Sequence, residues 1–287
     1  MATDIYYRGI LNDLNYRYII ANAVNSVNEV WQRHQIEKTQ SALLLGESVM
    51  AAFLLAARGT KAQDQTIGLH FECNGPIRRL MATSRFDGGI RGYTPEINAS
   101  WPGPLHDGKG TGLLNVSRFQ DVSKKIYSSS IEFQNQPLSK NIELFLARSE
   151  QVQVFIQIGH FEVSESELQN KKSIGYGIYG MLFEGLPNAT ADQTDQLLDY
   201  LKQPVFTEFS KTGKLPQLAG QLEDGKLFHY CDCNREKISR LLTTIGEEEC
   251  KSILIEQGKI EITCEFCREK YLFFESDLQR IFVDHSV

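Results

Sequence analysis

Four cysteines in two close pairs are the residues of this chain best suited to chemistry. Cys231-Asp232-Cys233 is followed by thirty intervening residues and then by Cys264-Glu265-Phe266-Cys267. Paired thiols in this arrangement are metal-ligand arithmetic: Zn²⁺ takes four soft thiolates in a tetrahedron, with Zn–S near ~2.3 Å. The Cys-x-x-Cys pair has zinc-knuckle spacing, which a hairpin tip provides. The Cys-x-Cys pair is closer than is usual in structural zinc fingers. The plainest role for such a site is a permanent staple, because the last sixty or so residues have too little core to stand alone.

The short pair has a second property. On an extended chain, residues i and i+2 lie roughly 6.6 Å apart and point to the same side, near the upper Cα–Cα limit of about 6.8 Å for a disulfide. A Cys231–Cys233 bridge can therefore form with local distortion, but not while both sulfurs hold a metal. Oxidation to Cys231–Cys233 and Cys264–Cys267 would expel the ion. Structural zinc supplies roughly 10–16 kcal/mol of folding free energy in small domains, and two tiny-loop disulfides replace little of it. The spacing therefore predicts that oxidation unfolds the tail.

Other reactive residues read as structural. Cys73 ends an apolar strand and is expected to be buried. Cys250 lies in an acidic helical turn that keeps its thiol protonated, so it is not expected to be a ligand. His229 is near the motif, but four thiolates already complete a zinc shell. Gly108-Lys109-Gly110-Thr111-Gly112 lacks the full phosphate-loop pattern and reads as a turn before a strand. Arg235, Lys237, Arg268 and Lys270 flank the cysteines and are expected to offset the charge of a four-thiolate centre. No Ser-His-Asp or paired-carboxylate site is recognisable, and no catalytic role is expected.

The elements that must position these residues follow from periodicity. Ile5–Leu11 reads as a strand, Tyr16–Arg33 as an amphipathic helix and Glu37–Arg58 as a buried helix closed by Gly59. The period then changes to two. Thr66–Glu72, Ile77–Phe86, Ile90–Tyr93, Gly110–Ser117 and Lys124–Phe133 read as strands, with Asp87-Gly88-Gly89 as a hairpin turn. A helix from Pro137 to Arg148 and strands Val152–Ile158 and Ile174–Glu184 complete an α+β N-terminal domain, with a mixed sheet and packed helices, over residues 1–188. Residues 189–226 carry one amphipathic helix, Gln193–Leu201, then polar residues and glycines, and read as a helical linker of weak cohesion. Residues 227–287 form a small α+β zinc-binding unit. In it, Asn234 caps one helix, three acids open the next, and Ile260–Ile262 and Tyr271–Phe273 alternate around the second cysteine pair.

Composition bounds the function. The chain has 287 residues and a formal charge of −6, from 30 basic and 36 acidic residues. From Leu227 onward it holds 8 Lys/Arg and 12 Asp/Glu. That balance argues against a zinc-ribbon nucleic-acid binder. A thiol-disulfide oxidoreductase would place Cys264-x-x-Cys267 at a helix N-terminus, whereas the flanking pattern predicts two strands. The most apolar stretch, Ser41–Ala57, carries Glu47, so no membrane span is expected. The first residues lack a basic-then-apolar leader, so the expected compartment is the cytoplasm, where structural disulfides are rare.

Taken together, YCDCNREKISRLL, GEEECKSIL and GKIEITCEFCREKYLF resemble the C-terminal domain of the heat-shock protein 33 family, the redox-regulated 33 kDa chaperonin. LLGESVMAAFLLAARG, FECNGPIRRLM, DGGIRGYT, GKGTGLLNV and LFLARSEQVQVF stand in that family's order and spacing upstream. The resemblance covers nearly the whole chain. It implies a reduced, zinc-bound, largely inactive monomer. Oxidant plus unfolding conditions convert it to a disulfide-bonded, dimer-forming holdase that binds unfolded clients without ATP. By position, Cys231, Cys233, Cys264 and Cys267 become both ligands and switch, with one Zn²⁺ per chain. One departure stands out: Phe206–Asp224 lacks the Leu-rich, Glu-Glu-bearing pattern expected there and holds extra glycines.

Overall fold

The computed structural model describes residues 4–60, 65–120, 125–164 and 174–283. Lys124, expected in a strand, and the first three residues of the leader reading lie outside them. The chain divides into two compact units, one running to Tyr230 and one starting at Cys231.

The first unit is α+β and built from two sheets. One has the order β10-β1-β2-β9-β8, with β1 Ile5–Leu11, β2 Tyr16–Ala23, β8 Val154–Glu162, β9 Tyr176–Gly185 and β10 Gln221–Lys226. The other has the order β11-β5-β4-β3-β6-β7, with β3 Gln65–Cys73, β4 Arg79–Arg85, β5 Gly89–Tyr93, β6 Gly112–Gln120, β7 Lys125–Phe133 and β11 Phe228–His229. Every pairing in these two sheets is antiparallel except β11 with β5.

Helix α2 (Thr39–Ala56) packs against strands of both sheets. Its sequence is rich in Ala, Leu and Met, which favour helix, and apolar all round, which suits an element covered on every side. Residues Ser41 to Ala56 are all buried. It is long and apolar enough to cross a membrane by length and composition, but 89% of that window is buried inside the fold. Gly46 lets Ile178 and Trp31 come within 2.8–2.9 Å of where a Cβ would stand, so a larger residue there would force the core apart.

The region expected to be one helix, Tyr16–Arg33, is strand β2 followed by helix α1 (Asn25–Arg33). β2 lies between β1 and β9, and seven of its eight residues are buried or nearly so on both faces, in the pattern BiBBBBBB from Tyr16. A strand covered on both faces has no alternation, and its apolar run mimics helical spacing. The break comes from a distant residue. Asp4 accepts hydrogen bonds from the Val24, Asn25 and Ser26 amides at 2.6, 3.1 and 3.0 Å. It acts as an N-terminal cap supplied from twenty residues away.

Residues 189–226 pack more closely than their composition suggested. Helix α4 (Ala191–Tyr200) starts with a capping box between Thr190 and Gln193. Helix α5 (Pro204–Thr212) begins at Pro204 and ends at Gly213 in the left-handed conformation, the Pro-first, Gly-last arrangement helices favour. Leu197, Phe206, Phe209 and Leu218 are buried in a second cluster with Tyr18, Tyr179 and Phe183. The Phe206/Phe209 spacing of three places both rings on one face of α5.

One buried ionic network joins the elements. Glu184 on β9 accepts from Arg58, just after α2, at 2.5 Å and from Arg17 on β2 at 2.7 Å. Arg58 also meets Glu150 at 2.9 Å, and Glu150 meets Arg118 on β6 at 2.8 Å. Glu150 is the C-cap of helix α3 (Leu138–Ser149). Burial alone would raise the Glu184 carboxyl; hydrogen bonds and charge from Arg58, then Arg17, outweigh it and hold the group below its ordinary range. The depressed value means its stabilisation is present above the unfolded carboxylate range and is lost as pH falls through the folded value. Glu184→Gln should cost about 3–5 kcal/mol, the usual result of stranding a buried partner. Trp31 and Trp101 both lie in this unit, so urea unfolding followed by tryptophan fluorescence reads it. The gap between wild type and variant should close on acidification. An unchanged urea midpoint at neutral pH would overturn this account.

Candidate metal centre

The second unit carries helices α6 (Arg235–Ile245), α7 (Glu247–Gln257) and α8 (Glu275–Val283) around a hairpin of β12 (Ile260–Thr263) and β13 (Lys270–Phe273). Its core consists of Ile238, Leu242, Cys250, Ile260, Phe273 and Leu278.

Local sequence positions each thiol. Cys264–Cys267 forms the turn between β12 and β13. The Cys264 amide donates to Glu269 O, the Arg268 amide donates to Cys264 O, both at 2.9 Å, and Arg268 takes the left-handed φ of 62° that closes the turn. Cys231 and Cys233 lie just before α6, whose start is fixed by the Asn234 side chain accepting from the Lys237 amide at 2.8 Å. That Ncap bond holds the short pair at a helix entrance.

The four sulfurs all lie within 4.8 Å of one another. Cys231 Sγ is 3.7 Å from Cys264 Sγ, and Cys233 Sγ is 3.3 Å from Cys267 Sγ. A tetrahedral tetrathiolate zinc site has S–S edges of about 3.8 Å, from Zn–S near 2.3 Å. The set therefore fits a zinc-sized ion with small adjustments. Cys267 is buried and the other three are partly buried. Tyr271 on β13 donates its hydroxyl to Cys233 Sγ at 3.2 Å, the outer contact that orients a ligand. From the sequence alone Tyr271 reads only as a strand residue. Its signal was the spacing of four after Cys267, which returns β13 alongside the site.

Burial would raise the Cys231 thiol, but hydrogen bonds from the Cys233 backbone and the neighbouring sulfurs outweigh it and lower the group. Burial instead dominates at Cys233 and Cys267, whose thiols are raised. The basic residues expected to offset thiolate charge are mostly engaged elsewhere. Arg235 pairs with Asp277 at 2.9 Å and stacks on Phe273, Lys237 pairs with Asp232 at 2.7 Å, and Lys270 pairs with Glu261 at 2.7 Å. The competing carboxylates come from α8 for Arg235, from the adjacent Cys-Asp-Cys segment for Lys237 and from across the hairpin for Lys270.

The remaining candidates fall outside the thiol cluster. Cys250 is in the core, its Sγ 3.7 Å from Leu242 O, and its thiol is raised by burial first and by Glu249 second. Cys73 is half-buried at the end of β3 in the first unit, and burial pushes its thiol up to about 12 against the opposing charge of Lys109. His229 belongs to β11 in the first unit, with Nδ1 3.4 Å from Glu29 Oε1. In the Gly-Lys-Gly-Thr-Gly turn, Lys109 is fully buried, donates to Gln134 O at 2.9 Å and lies over the Phe133 ring. Burial lowers its amine to about 8. The turn anchors a core lysine instead of cradling a phosphate.

The profile of the Hsp33 protein family matches residues 4–274. The chain belongs to the Hsp33 family. A 33 kDa chaperonin of Geobacter sp. (strain M21) is 27% identical over 98% of each chain. One from Desulforamulus reducens is 29% identical over 97% of each. The crystal structure of a 33 kDa chaperonin, a heat shock protein 33 homologue from Thermotoga maritima, shares the fold with a TM-score of 0.79 at 22% identity over 99% of both chains. Membership of the Hsp33 family makes this chain a chaperone, and the matched span includes all four clustered thiols.

Zinc or cobalt titration of the reduced Hsp33 chain should saturate at one ion. Serine at 231, 233, 264 or 267 should each weaken binding by several kcal/mol, since a soft ligand leaves a closed shell. Tyr271→Phe should weaken it about tenfold. Cys250→Ser and Cys73→Ser should leave the stoichiometry at one. Full affinity in Cys231→Ser, or a loss of metal in Cys250→Ser, would show that the ligand set is wrong.

Proposed function

We propose that the chain is a redox-regulated, ATP-independent holdase of the cytoplasm that protects unfolded proteins during oxidative stress. In the reduced state Cys231, Cys233, Cys264 and Cys267 hold one Zn²⁺ and the protein is inactive. The observation that carries this reading is four thiols within 4.8 Å of one another in a unit whose core is six side chains. Such a unit depends on its metal for most of its folding free energy.

Oxidation proceeds in balanced two-electron steps. A thiolate attacks peroxide, the O–O bond breaks, and the sulfur becomes a sulfenic acid as hydroxide leaves and takes a proton to form water. A neighbouring thiolate then displaces the sulfenic oxygen as a second water and closes the disulfide. Two peroxides give Cys264–Cys267 and Cys231–Cys233. The former closes first, because its longer loop carries less strain. With two ligands gone zinc leaves, the second unit unfolds, residues 189–226 loosen, and apolar surface becomes available to unfolded clients and to a second copy of the chain. The thiol oxidoreductase alternative is disfavoured by the position of Cys264-x-x-Cys267 between two strands. The nucleic-acid alternative is disfavoured by the acidic balance of the tail.

Peroxide treatment should therefore release zinc and then strip hydrogen-exchange protection from residues after about Ala189. Suppression of client aggregation should follow, and reductant plus zinc should reverse all three. Oxidised protein that holds clients while its C-terminal amides stay as protected as in the reduced form would overturn the mechanism.

A further inference from the structure

The backbone from Gly220 to Tyr230 runs as one ribbon along the edges of both sheets. Gly220 O accepts from the Ile10 amide at 2.9 Å. β10 pairs with β1 from Ile5↔Lys226 to Gly9↔Gln221, with a register shift at Arg8/Gly9. The Leu227 amide donates to Asp4 O, the Phe228 amide to Gly88 O and the Tyr230 amide to Ile90 O, each at 3.1 Å. β10 and β11 are thus the outermost strands beside β1 and β5. The next residue is Cys231.

The ribbon is a poor strand whose β10 part is held mostly by its backbone, while the His229 side chain of β11 is buried, with Nδ1 3.4 Å from Glu29 Oε1. Gln-Leu-Glu-Asp-Gly-Lys is drawn largely from residues depleted in sheets. Leu222 is 68% exposed and Phe228 42%, and Leu227 is the one fully buried apolar side chain of the stretch. Glu223 pairs with Arg8 at 2.8 Å, and the guanidiniums of Arg85 and Arg91 lie over the Tyr230 ring at 5.2 and 4.9 Å. The edges beneath are better strands: β1 is Ile-Tyr-Tyr-Arg-Gly-Ile-Leu and is paired along its full length with β2 on its other side. It keeps its shape when the ribbon leaves. A strand edge without its neighbour presents a row of unpaired N–H and C=O groups, a template for another chain.

We propose that the 220–230 ribbon is a built-in stand-in for client, and that an extended segment of an unfolded protein replaces it on the β1 and β5 edges once the ribbon peels away. This rests on the redox reading above and names the surface that reading leaves open. Backbone recognition tolerates many sequences, as a holdase requires. The side-chain preference is for β-branched and aromatic residues, no proline, and a carboxylate at the position of Glu223 to meet Arg8. A second copy fits less well. Arg8 is the central residue of β1, so full two-fold β1–β1 pairing sets two arginines directly opposite, which is destabilising.

The test uses the full chain, oxidised with peroxide, and reduced carboxymethylated α-lactalbumin as a permanently unfolded, thiol-blocked client. Hydrogen exchange is read at β1, with the Ile10 amide as reporter. It should be protected in the reduced protein, exposed after oxidation, and protected again with client bound. Asp224→Val strengthens β10 as a strand and should weaken client capture about fivefold at unchanged zinc release. β1 amides that stay protected after oxidation, or that stay exposed with client bound, would overturn the proposal. So would protection that returns without client as protein concentration rises, which would assign the edge to a second copy. Capture unaffected by Asp224→Val would also overturn it. Loss of zinc release or of holding itself would instead overturn the redox reading, and this proposal with it.

Discussion

Six buried side chains cannot hold the residues after Tyr230 in one fold by hydrophobic burial alone, and the remaining constraint falls on four sulfurs. Ile238, Leu242, Cys250, Ile260, Phe273 and Leu278 form the buried hydrophobic cluster of this unit, with only partly buried side chains such as Ile253 and Phe282 packed on it, whereas the first unit packs an entire helix against strands of two sheets. Domains this small sit near the size at which metals or disulfides are usually needed. Stability that rests on sulfurs is stability that an oxidant can reach, because partly buried thiols close together are both good ligands and good partners for disulfide formation.

The first unit is built the opposite way. α2 contributes almost only apolar contacts, and its end is fastened by Arg58 to Glu184 and Glu150, which bridge β9, β2, β6 and the end of α3. No oxidisable group takes part in that network. On the proposed mechanism, loss of the tail would therefore leave the network intact, and the first unit would keep rigid surfaces and strand edges to present. A holdase whose binding surface melted with its switch would have nothing ordered to offer a client.

The sequence revealed those features that depend on local spacing. The two cysteine pairs, the β12–β13 hairpin around the second of them, the β4–β5 turn and the buried α2 could all be read from neighbouring residues. Features set by distant partners could not. β2 read as helix because both of its faces are covered, and the boundary before α1 is made by Asp4 from across the fold. The packing of α5 depends on Tyr179 and Phe183, and β10, with its acidic, glycine-bearing sequence, is a strand only because β1 offers it an edge. Tyr271 was visible as a strand residue, but its bond to Cys233 exists only once the hairpin brings them together.

In the proposed mechanism, the order of elements along the chain lets a local redox event act at a distance without a dedicated pathway. Cys231 follows Tyr230 directly, Tyr230 ends the ribbon on β5, and the ribbon continues into β10 on β1. Segments with few buried apolar contacts and exposed backbone bonds open at low free energy, and the 220–230 stretch is such a segment. While the second unit is folded, Cys231 belongs to an ordered body instead of a flexible chain. On the proposed mechanism that unit unfolds, the chain beyond Tyr230 becomes flexible, and the two-residue β11 keeps its backbone bonds, the His229–Glu29 contact and the Tyr230 stacking as anchors. Opening then proceeds from the cysteine end toward β10, the direction in which pairing gets longer. A longer, better strand at 221–226 would resist that opening, so the poor strand propensity of Gln-Leu-Glu-Asp-Gly-Lys is what would let the proposed four-thiol switch control a sheet edge through the chain that joins them.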